Sequence, residues 1–203
     1  MKLFDGGRAP NPRRTRIFLA EKGIEVPMEP VDMSKGEHWG DKIASRNRLK
    51  RLPVLELDDG TILTESIAIC RYFEALQPDP PLFGRDPLEI GKIEMWQRRA
   101  EIELYMSVGA VFRHGHPGMA KAEPVQVKEW ADLNRGRAID ALKMFEDQLG
   151  EHPFVAGDAI SVADITVFVA VGFMKVAKLG VPEDFSNVRR WYAEFEKRPS
   201  ASA

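Results

Sequence analysis

The chain of 203 residues contains a single cysteine, Cys70. One cysteine cannot form a disulfide within the chain, and this usage favours a reducing compartment. The chain begins directly with Lys2-Leu3-Phe4-Asp5, without an apolar leader, so we expect no signal peptide. The most apolar run, over residues 165–174, is too short to span a bilayer. These absences together predict a cytoplasmic protein with no membrane partner.

An excess of charge of one sign is also missing. The formal net charge is −2 at pH 7, from 29 basic and 31 acidic residues. Because the two signs are interspersed, the sequence predicts no surface that would attract nucleic acid or an anionic membrane. Hydrophobic residues make up 44% of the chain. That composition and length are typical of a globular protein with one large domain or two small ones.

Clusters of metal-ligating or nucleophilic residues are equally scarce. His114 and His116 lie two apart in a Gly-Pro turn without cysteine or acidic neighbours, a pattern that favours helix capping over a metal site. We therefore predict no metal. Cys70 lies on the apolar stripe of a predicted helix, and we interpret it as a small buried hydrophobic residue.

The most informative stretch is residues 47–66, NRLKRLPVLELDDGTILTES. Two apolar runs flank an Asp-Gly turn, which is a strong signal for a β-hairpin. Leu52-Pro53 then stands at the entrance of the hairpin and Glu65-Ser66 at its exit. A proline is accepted at the start of a strand, and Ser66 is predicted to cap the helix that follows.

The residues before the hairpin predict a strand, a helix and a strand. Lys2–Asp5 forms the first strand, and the helix covers residues 13–22 and ends at Gly23 in a left-handed conformation. Asn11-Pro12 has the pattern of an N-cap followed by proline at the first helical position. Residues 1–77 are therefore predicted to form a βαβ-α-ββα domain with a mixed sheet.

Residues 78–86 are dense in proline and predict a linker between domains. Residues 87–203 carry helical periodicity throughout and are predicted to form an all-helical domain. Its second long helix is expected over 124–149, with Trp130 and Leu133 facing inward. Ser161 and Asp164 form a variant of the capping box and open the next helix.

Several signatures in this order resemble those of the cytosolic glutathione transferases, and the N-terminal part is most similar to bacterial members. The matching segments are Asn11–Arg14, Ile17–Gly23, Leu52–Leu55, Thr64–Ile69 and Ser161–Ile165. The resemblance implies a thioredoxin-like α/β domain followed by an all-α domain, usually as a homodimer with a role in detoxification. It implies glutathione as a substrate on the first domain and a small hydrophobic electrophile in a cleft against the second.

The resemblance also implies roles for the ends of the hairpin. Pro53 is expected to be cis, and the backbone of Leu52 is expected to pair with the cysteinyl part of glutathione; the alternative is an ordinary edge proline. Glu65 is expected to bind the ammonium and Ser66 the carboxylate of the γ-glutamyl end. Asp164 is expected to be a folding cap, structural rather than catalytic.

Further contacts follow from the same resemblance. Arg51 and His38 occupy places from which relatives contact the glycyl carboxylate, although a solvated basic loop is an open alternative. Tyr105, Phe112 and Arg113 fall in the region that approaches the second-substrate cleft.

The group that activates the thiol is harder to assign. The serine of related enzymes falls at Ala9, which has no donor, and the cysteine of others falls at Asn11. The Asn11 amide is a candidate catalytic donor to the sulfur, or alternatively only a helix cap. Arg13 and Arg14 open the same helix and either add positive potential or form a surface face.

Three functions remain open at this point. The first is a transferase that conjugates the glutathione thiolate to small electrophiles. The second is a glutathione-dependent disulfide reductase or peroxidase-like activity, which needs no strong proton donor and suits Ala9. The third is a non-catalytic glutathione-binding module, because a fold does not fix a function.

Overall fold

A computed structural model describes residues 1–203 of the chain. It divides into two compact units, which we call the sheet unit (Met1–Leu82 with Pro199–Ala203) and the helical unit (Phe83–Arg198). The last five residues therefore join the sheet unit, a detail that the predicted domains do not include. None of the helices combines the length and the hydropathy needed to cross a membrane.

The sheet unit contains a four-stranded mixed sheet in the order β2-β1-β3-β4. Strands β1 and β2 are parallel, whereas β1 with β3 and β3 with β4 are antiparallel. The elements in chain order are β1 (Lys2–Asp5), α1 (Pro10–Lys22), β2 (Met28–Pro30), a 3₁₀ turn (Glu37–Trp39), α2 (Asp41–Ala44), β3 (Val54–Glu56), β4 (Ile62–Thr64) and α3 (Ser66–Leu76). The predicted fold class and the hairpin are confirmed.

The start of α1 differs from the prediction. Ala9 is the N-cap, with φ −62° and ψ 140°, and the helix begins at Pro10. A residue that precedes proline avoids the helical region, so Pro10 fixes Ala9 as the extended residue outside the helix. The prediction that Asn11 is the N-cap is therefore wrong: Asn11 lies within the first turn. The predicted end at Gly23 is confirmed, with φ 64°.

The start of α3 is also corrected. Glu65 is the N-cap, in a positive-φ conformation at 65°, and Ser66 is the first helical residue. No side chain caps this helix, so the prediction that Ser66 is its cap is wrong. Its hydroxyl is instead bound by an arginine of α1, as described below.

Lys22 of α1 binds the segment at the C-terminal end of α3. Its buried ammonium donates to the carbonyl oxygens of Gln77 at 2.6 Å, Pro78 at 3.1 Å and Pro80 at 2.6 Å, and pairs with the Glu74 carboxylate at 2.6 Å. A buried charge is costly unless it is paired and hydrogen-bonded, and these three carbonyl oxygens with the Glu74 carboxylate meet that requirement. The contacts join α1 to the segment that follows α3.

The helical unit contains five α-helices and no strand longer than an isolated bridge. They are α4 (Pro87–Arg99), α5 (Met106–Gly115), α6 (Lys128–Glu151), α7 (Val162–Met174) and α8 (Ser186–Glu196). A π-helical segment, Ala100–Tyr105, joins α4 to α5. The all-helical prediction is confirmed. The inward orientation predicted for Trp130 and Leu133 is wrong, because they are 42% and 50% exposed while alanines such as Ala131 and Ala138 face the core.

The capping box at the start of α7 is confirmed and is completely buried. The two carboxylate oxygens of Asp164 accept from Val155 N at 2.8 Å, Ser161 N and Oγ at 2.9 Å, and Trp191 Nε1 at 3.2 Å. These donors favour the ionised form, but burial outweighs them and raises the pKa of Asp164 from 3.8 to about 6. Asp164 thus joins the start of α7 to α8 and to the preceding loop.

This raised pKa predicts how stability changes with pH. Between about pH 4 and 6 the folded state holds a proton that the unfolded state releases, so this contribution is complete below pH 4 and is lost as the pH rises through 6. We expect the advantage of the wild type over Asp164→Asn, in free energy of unfolding, to shrink by about 2 kcal/mol over that range. Urea denaturation at several pH values measures it. A difference that does not vary with pH would contradict the assignment.

Candidate functional site

One edge of the sheet gathers the loops that carry the predicted site residues. The register pairs Phe4 with Val54 and Val54 with Thr64, so the end of β1, the start of β3 and the end of β4 lie together. Gly6, just after β1, packs closely here. A Cβ on Gly6 would lie 3.1 Å from Pro12 Cγ and 3.2 Å from Leu52 Cδ1. The start of α1 and the entrance of the hairpin are therefore neighbours.

The hairpin entrance presents an unpaired stretch of backbone. The Leu52–Pro53 peptide bond is cis, as expected. The side chain of Leu52 is buried, but neither its N–H nor its C=O forms a hydrogen bond within the protein. An extended ligand could pair with these two groups as an additional strand would.

The hairpin exit lies directly beside it. Glu65 is exposed and follows the last residue of β4, whereas Ser66 is only 2% exposed. The Ser66 hydroxyl oxygen accepts hydrogen bonds from Arg14 Nε at 3.1 Å and Arg14 Nη2 at 2.7 Å. The first turn of α3 is thereby joined to α1.

Arg14 also contacts the candidate thiol donor. Its Nη2 donates to Asn11 Oδ1 at 3.2 Å, and the side chain of Arg14 is part of the interior, at 3% exposure. The surface alternative for Arg14 is therefore wrong. Arg13 points elsewhere, donating to the carbonyl oxygen of Ala201 at 3.0 Å.

The importance of Arg14 was missed in the sequence, although a signal was available. Arg14 lies three and four residues before Ile17 and Phe18, so helical spacing places it on the same buried face. A basic residue on that face needs acceptors, and Asn11 and Ser66 supply them.

The N-terminus of α1 has few backbone donors. Two of its first three residues, Pro10 and Pro12, have no N–H, and Ala9 contributes no side-chain hydrogen bond. A thiolate at this end of the helix would therefore depend on side chains more than on backbone amides. Asn11 carries the amide that is nearest in sequence.

The two candidates for the glycyl carboxylate differ in environment. His38 is buried, its Nδ1 has no hydrogen-bond partner, and its ring lies 4.6 Å from that of Trp39 between centroids. Burial lowers the pKa of His38 below its ordinary 6.5, so the ring is neutral at pH 7. Arg51 is exposed, and its carbonyl oxygen accepts from Asn47 Nδ2 at 2.9 Å.

The candidates on the helical unit lie along one continuous helix. Tyr105 is the last residue of the π-helical segment, a type of irregularity that is frequent at functional sites. Phe112, two turns later, packs against Phe173 and His116 at centroid distances of 4.9 and 5.1 Å. Arg113 is exposed.

The histidines that could suggest a metal site have structural partners. His116 Nδ1 accepts from Gly118 N at 3.1 Å and His114 Nδ1 from Val127 N at 3.2 Å. Both therefore support the turn between α5 and α6. No group of three or more histidine, cysteine or acidic residues is placed to hold a metal ion.

Comparison with known proteins identifies relatives over the full length of the chain. Two family models match: "Glutathione S-transferase, N-terminal domain" over residues 9–76 and "Glutathione S-transferase, C-terminal domain" over residues 128–194. Glutathione S-transferase 2 of Saccharomyces cerevisiae is 41% identical over 98% of this chain and 87% of its own length.

Solved structures give the same result. The crystal structure of Gtt2 from Saccharomyces cerevisiae superposes with a TM-score of 0.94 at 41% identity, covering 100% of this chain and 99% of that one. A glutathione S-transferase domain-containing protein from Marinobacter aquaeolei VT8 also gives a TM-score of 0.94, at 37% identity, with 98% and 99% coverage.

Proposed function

The chain belongs to the glutathione S-transferase family and is a glutathione S-transferase, and from this premise we propose that it joins the glutathione thiolate to small hydrophobic electrophiles. The observation that carries the proposal is the convergence, at one edge of the sheet, of the Leu52 backbone, Glu65, Ser66 and Asn11. These groups match the successive parts of glutathione.

The γ-glutamyl end fits the hairpin exit. Its ammonium would pair with the exposed Glu65 carboxylate, and its carboxylate would meet the Ser66 hydroxyl and the first turn of α3. A helix N-terminus favours an anion through its unpaired N–H groups and its dipole. The cysteinyl unit would pair with the N–H and C=O of Leu52 beside Pro53.

The glycyl carboxylate is assigned to His38 and Arg51. Because burial keeps His38 neutral at pH 7, His38 would donate a single N–H to the carboxylate. Arg51 would supply the positive charge from the loop before β3. A neutral donor and an exposed cation together would bind a carboxylate without burying a net charge.

Asn11 is proposed as the catalytic donor to the sulfur. A free cysteine thiol titrates near ~8.5, so at neutral pH most of it is protonated. A hydrogen bond from the Asn11 amide would favour the thiolate. The thiolate attacks the electrophilic carbon and forms a C–S bond, the leaving group departs with its electron pair, and the thiol proton goes to solvent.

The electrophile is proposed to contact Tyr105, Phe112 and Arg113. Tyr105 and Phe112 lie seven residues apart on one helix and offer aromatic surface, and Arg113 can stabilise a departing anion. Broad apolar surfaces with few polar groups suit varied hydrophobic substrates.

The activity itself is tested with three assays on the same preparation. We expect conjugation with an aromatic halide and, at a hundred times Kd, stabilisation by glutathione of about 2.7 kcal/mol. Turnover of hydroxyethyl disulfide without conjugation would favour the reductase. That activity needs no strong proton donor, so it is compatible with the absence of a hydroxyl at Ala9. Stabilisation by glutathione without any turnover would indicate a binding module. No stabilisation at saturating glutathione would reject all three candidate functions.

Two substitutions test Asn11. Asn11→Ala removes the proposed donor, and we expect the pKa of the bound glutathione thiol to rise by about 1 unit, followed by thiolate absorbance against pH. Asn11→Asp retains an oxygen for Arg14 but has no N–H, so it should also raise the pKa. If Asn11→Asp titrates like the wild type, the role of Asn11 is to hold Arg14 and not to contact sulfur.

A homodimer is proposed from an exposed apolar stripe on the helical unit. Leu88, Met95, Ile102 and Met106 are between 41% and 68% exposed along α4, the π-helical segment and α5. The first three are spaced by seven residues, as in helix-pairing seams, and exposed large apolar side chains repeated at this spacing are typical of an interaction surface. A second copy would present the same stripe.

Sedimentation tests the dimer. Ile102→Glu places a charge in the stripe, and we expect it to convert the protein to monomer at micromolar concentration. Leu133→Glu is the matched control, because Leu133 is equally exposed but lies on α6. A dimer that survives Ile102→Glu, or is lost equally in Leu133→Glu, would exclude this stripe as the interface.

A further inference from the structure

The hydrogen bonds of Arg14 determine which way two neighbouring groups point. A guanidinium has five N–H donors and no acceptor. Arg14 uses Nε and Nη2 towards Ser66 Oγ, at 3.1 and 2.7 Å, and Nη2 towards Asn11 Oδ1, at 3.2 Å. Each partner must therefore offer an oxygen to Arg14.

At Asn11 this requirement fixes the amide. The carbonyl oxygen must face the guanidinium, since an NH₂ group in its place would set an N–H donor against the Arg14 Nη2 donor. The NH₂ group then points to the opposite side. The side chain therefore directs its N–H donors to groups other than Arg14, and a thiolate acceptor would need such a donor.

At Ser66 the same requirement fixes the hydroxyl. A serine hydroxyl has two lone pairs and one hydrogen. Both contacts with Arg14 use lone pairs, so the hydrogen remains to donate to another group. A donor at the first residue of α3 is suited to a carboxylate, to which neutral N–H groups of the helix also point.

We propose that Arg14 is a positioning residue that couples the two ends of the glutathione site, setting Asn11 as donor at the sulfur and Ser66 as donor at the γ-glutamyl carboxylate. The inference rests on the proposed function, because it assumes that glutathione occupies this sheet edge. Arg14 need not touch glutathione. The guanidinium is buried and is held by both Asn11 and Ser66. The loss of one partner therefore alters the hydrogen bond that Arg14 donates to the other.

The coupling separates this role from a purely structural one. A structural arginine would join α1 to α3, and its loss would lower stability and weaken both ends in proportion. A positioning arginine makes the two ends dependent on each other. Removing the Ser66 hydroxyl, which is assigned to the glutamyl end, should therefore change the pKa of the bound glutathione thiol.

The first experiment uses Ser66→Ala and Glu65→Gln, both with saturating glutathione. Both change the γ-glutamyl contacts, but only Ser66 contacts Arg14. We expect Ser66→Ala to raise the pKa of the bound thiol by roughly half a unit, whereas Glu65→Gln weakens Kd about tenfold and leaves the thiol titration unchanged. Thiolate absorbance reports the titration. An unchanged titration in Ser66→Ala, or equal shifts in both variants, would overturn the proposal.

The second experiment uses Arg14→Lys, which keeps the charge but cannot reach two acceptors in fork geometry. The probe is S-methylglutathione, which has no thiol and reports the glutamyl end alone. We expect about tenfold weaker binding in Arg14→Lys, and no further loss when Ser66→Ala is added. Additive losses would overturn the coupling. Arg16→Lys, on the same helix but paired with Asp5, is the matched control.

The outcomes also separate this inference from the function on which it rests. If the wild type neither binds glutathione nor lowers the pKa of its thiol, the proposed function fails. If the wild type binds glutathione and lowers the pKa of its thiol, but Ser66→Ala leaves that pKa unchanged, only the proposed coupling is rejected. Should Arg14→Lys not fold, as judged by circular dichroism, the Ser66→Ala and Glu65→Gln pair still decides.

Discussion

The candidate site depends on the hydrogen bonds that the buried guanidinium of Arg14 donates to Asn11 and Ser66. A cation in the interior is costly unless polar groups surround it, so the fold must supply acceptors wherever Arg14 is placed. Asn11 on α1 and Ser66 on α3 are such acceptors, and both belong to the predicted glutathione site. The need to solvate one charge thus brings two side chains of the predicted site together. An exposed pair such as Lys143 with Asp147 imposes no comparable requirement.

Lys22 extends this principle along α1. Arg14, Phe18 and Lys22 are four residues apart, so they share one face of the helix, and all three are buried. Arg14 binds the first residue of α3, while Lys22 binds the carbonyl oxygens just beyond its last turn. One helix therefore holds both ends of its neighbour, and the hairpin exit is positioned by the same contacts that stabilise the unit.

Much of the fold could be predicted because local chemistry decides it. The Asp-Gly turn defines the hairpin, Gly23 ends α1, and Ser161 with Asp164 opens α7. Local rules failed where partners distant in sequence decide. Helical spacing places Arg14 on the buried face of α1 but does not identify Ser66 as its acceptor, and Trp130 has the spacing of a core residue although the packing of the helical unit leaves it exposed.

The same distinction applies to the candidate site. The positions of the hairpin half and its cis proline could be predicted, because the turn residues define the hairpin and the family resemblance implies the cis bond at Pro53. The orientation of the Asn11 amide could not, since it depends on a hydrogen bond to a buried side chain. The π-helical turn before Met106 was not predicted, although the buried residues Trp96, Ala100, Leu104 and Val108 are spaced by four through it, which is wider than the 3.6-residue period of an α-helix.

The sheet unit is built from both ends of the chain. The carbonyl oxygen of Ala201 accepts from Arg13, and the Ser200 hydroxyl contacts Glu21, so residues 199–203 pack on α1. The helical unit is therefore an insertion within the sheet unit. During synthesis on the ribosome, the helix that carries Asn11 and Arg14 emerges early but meets its last contacts only after residue 203 has left the exit tunnel. The helix that carries the candidate donor Asn11 is thus among the first elements to be made, although the contact between Arg13 and Ala201 that completes its packing spans 188 residues of the chain.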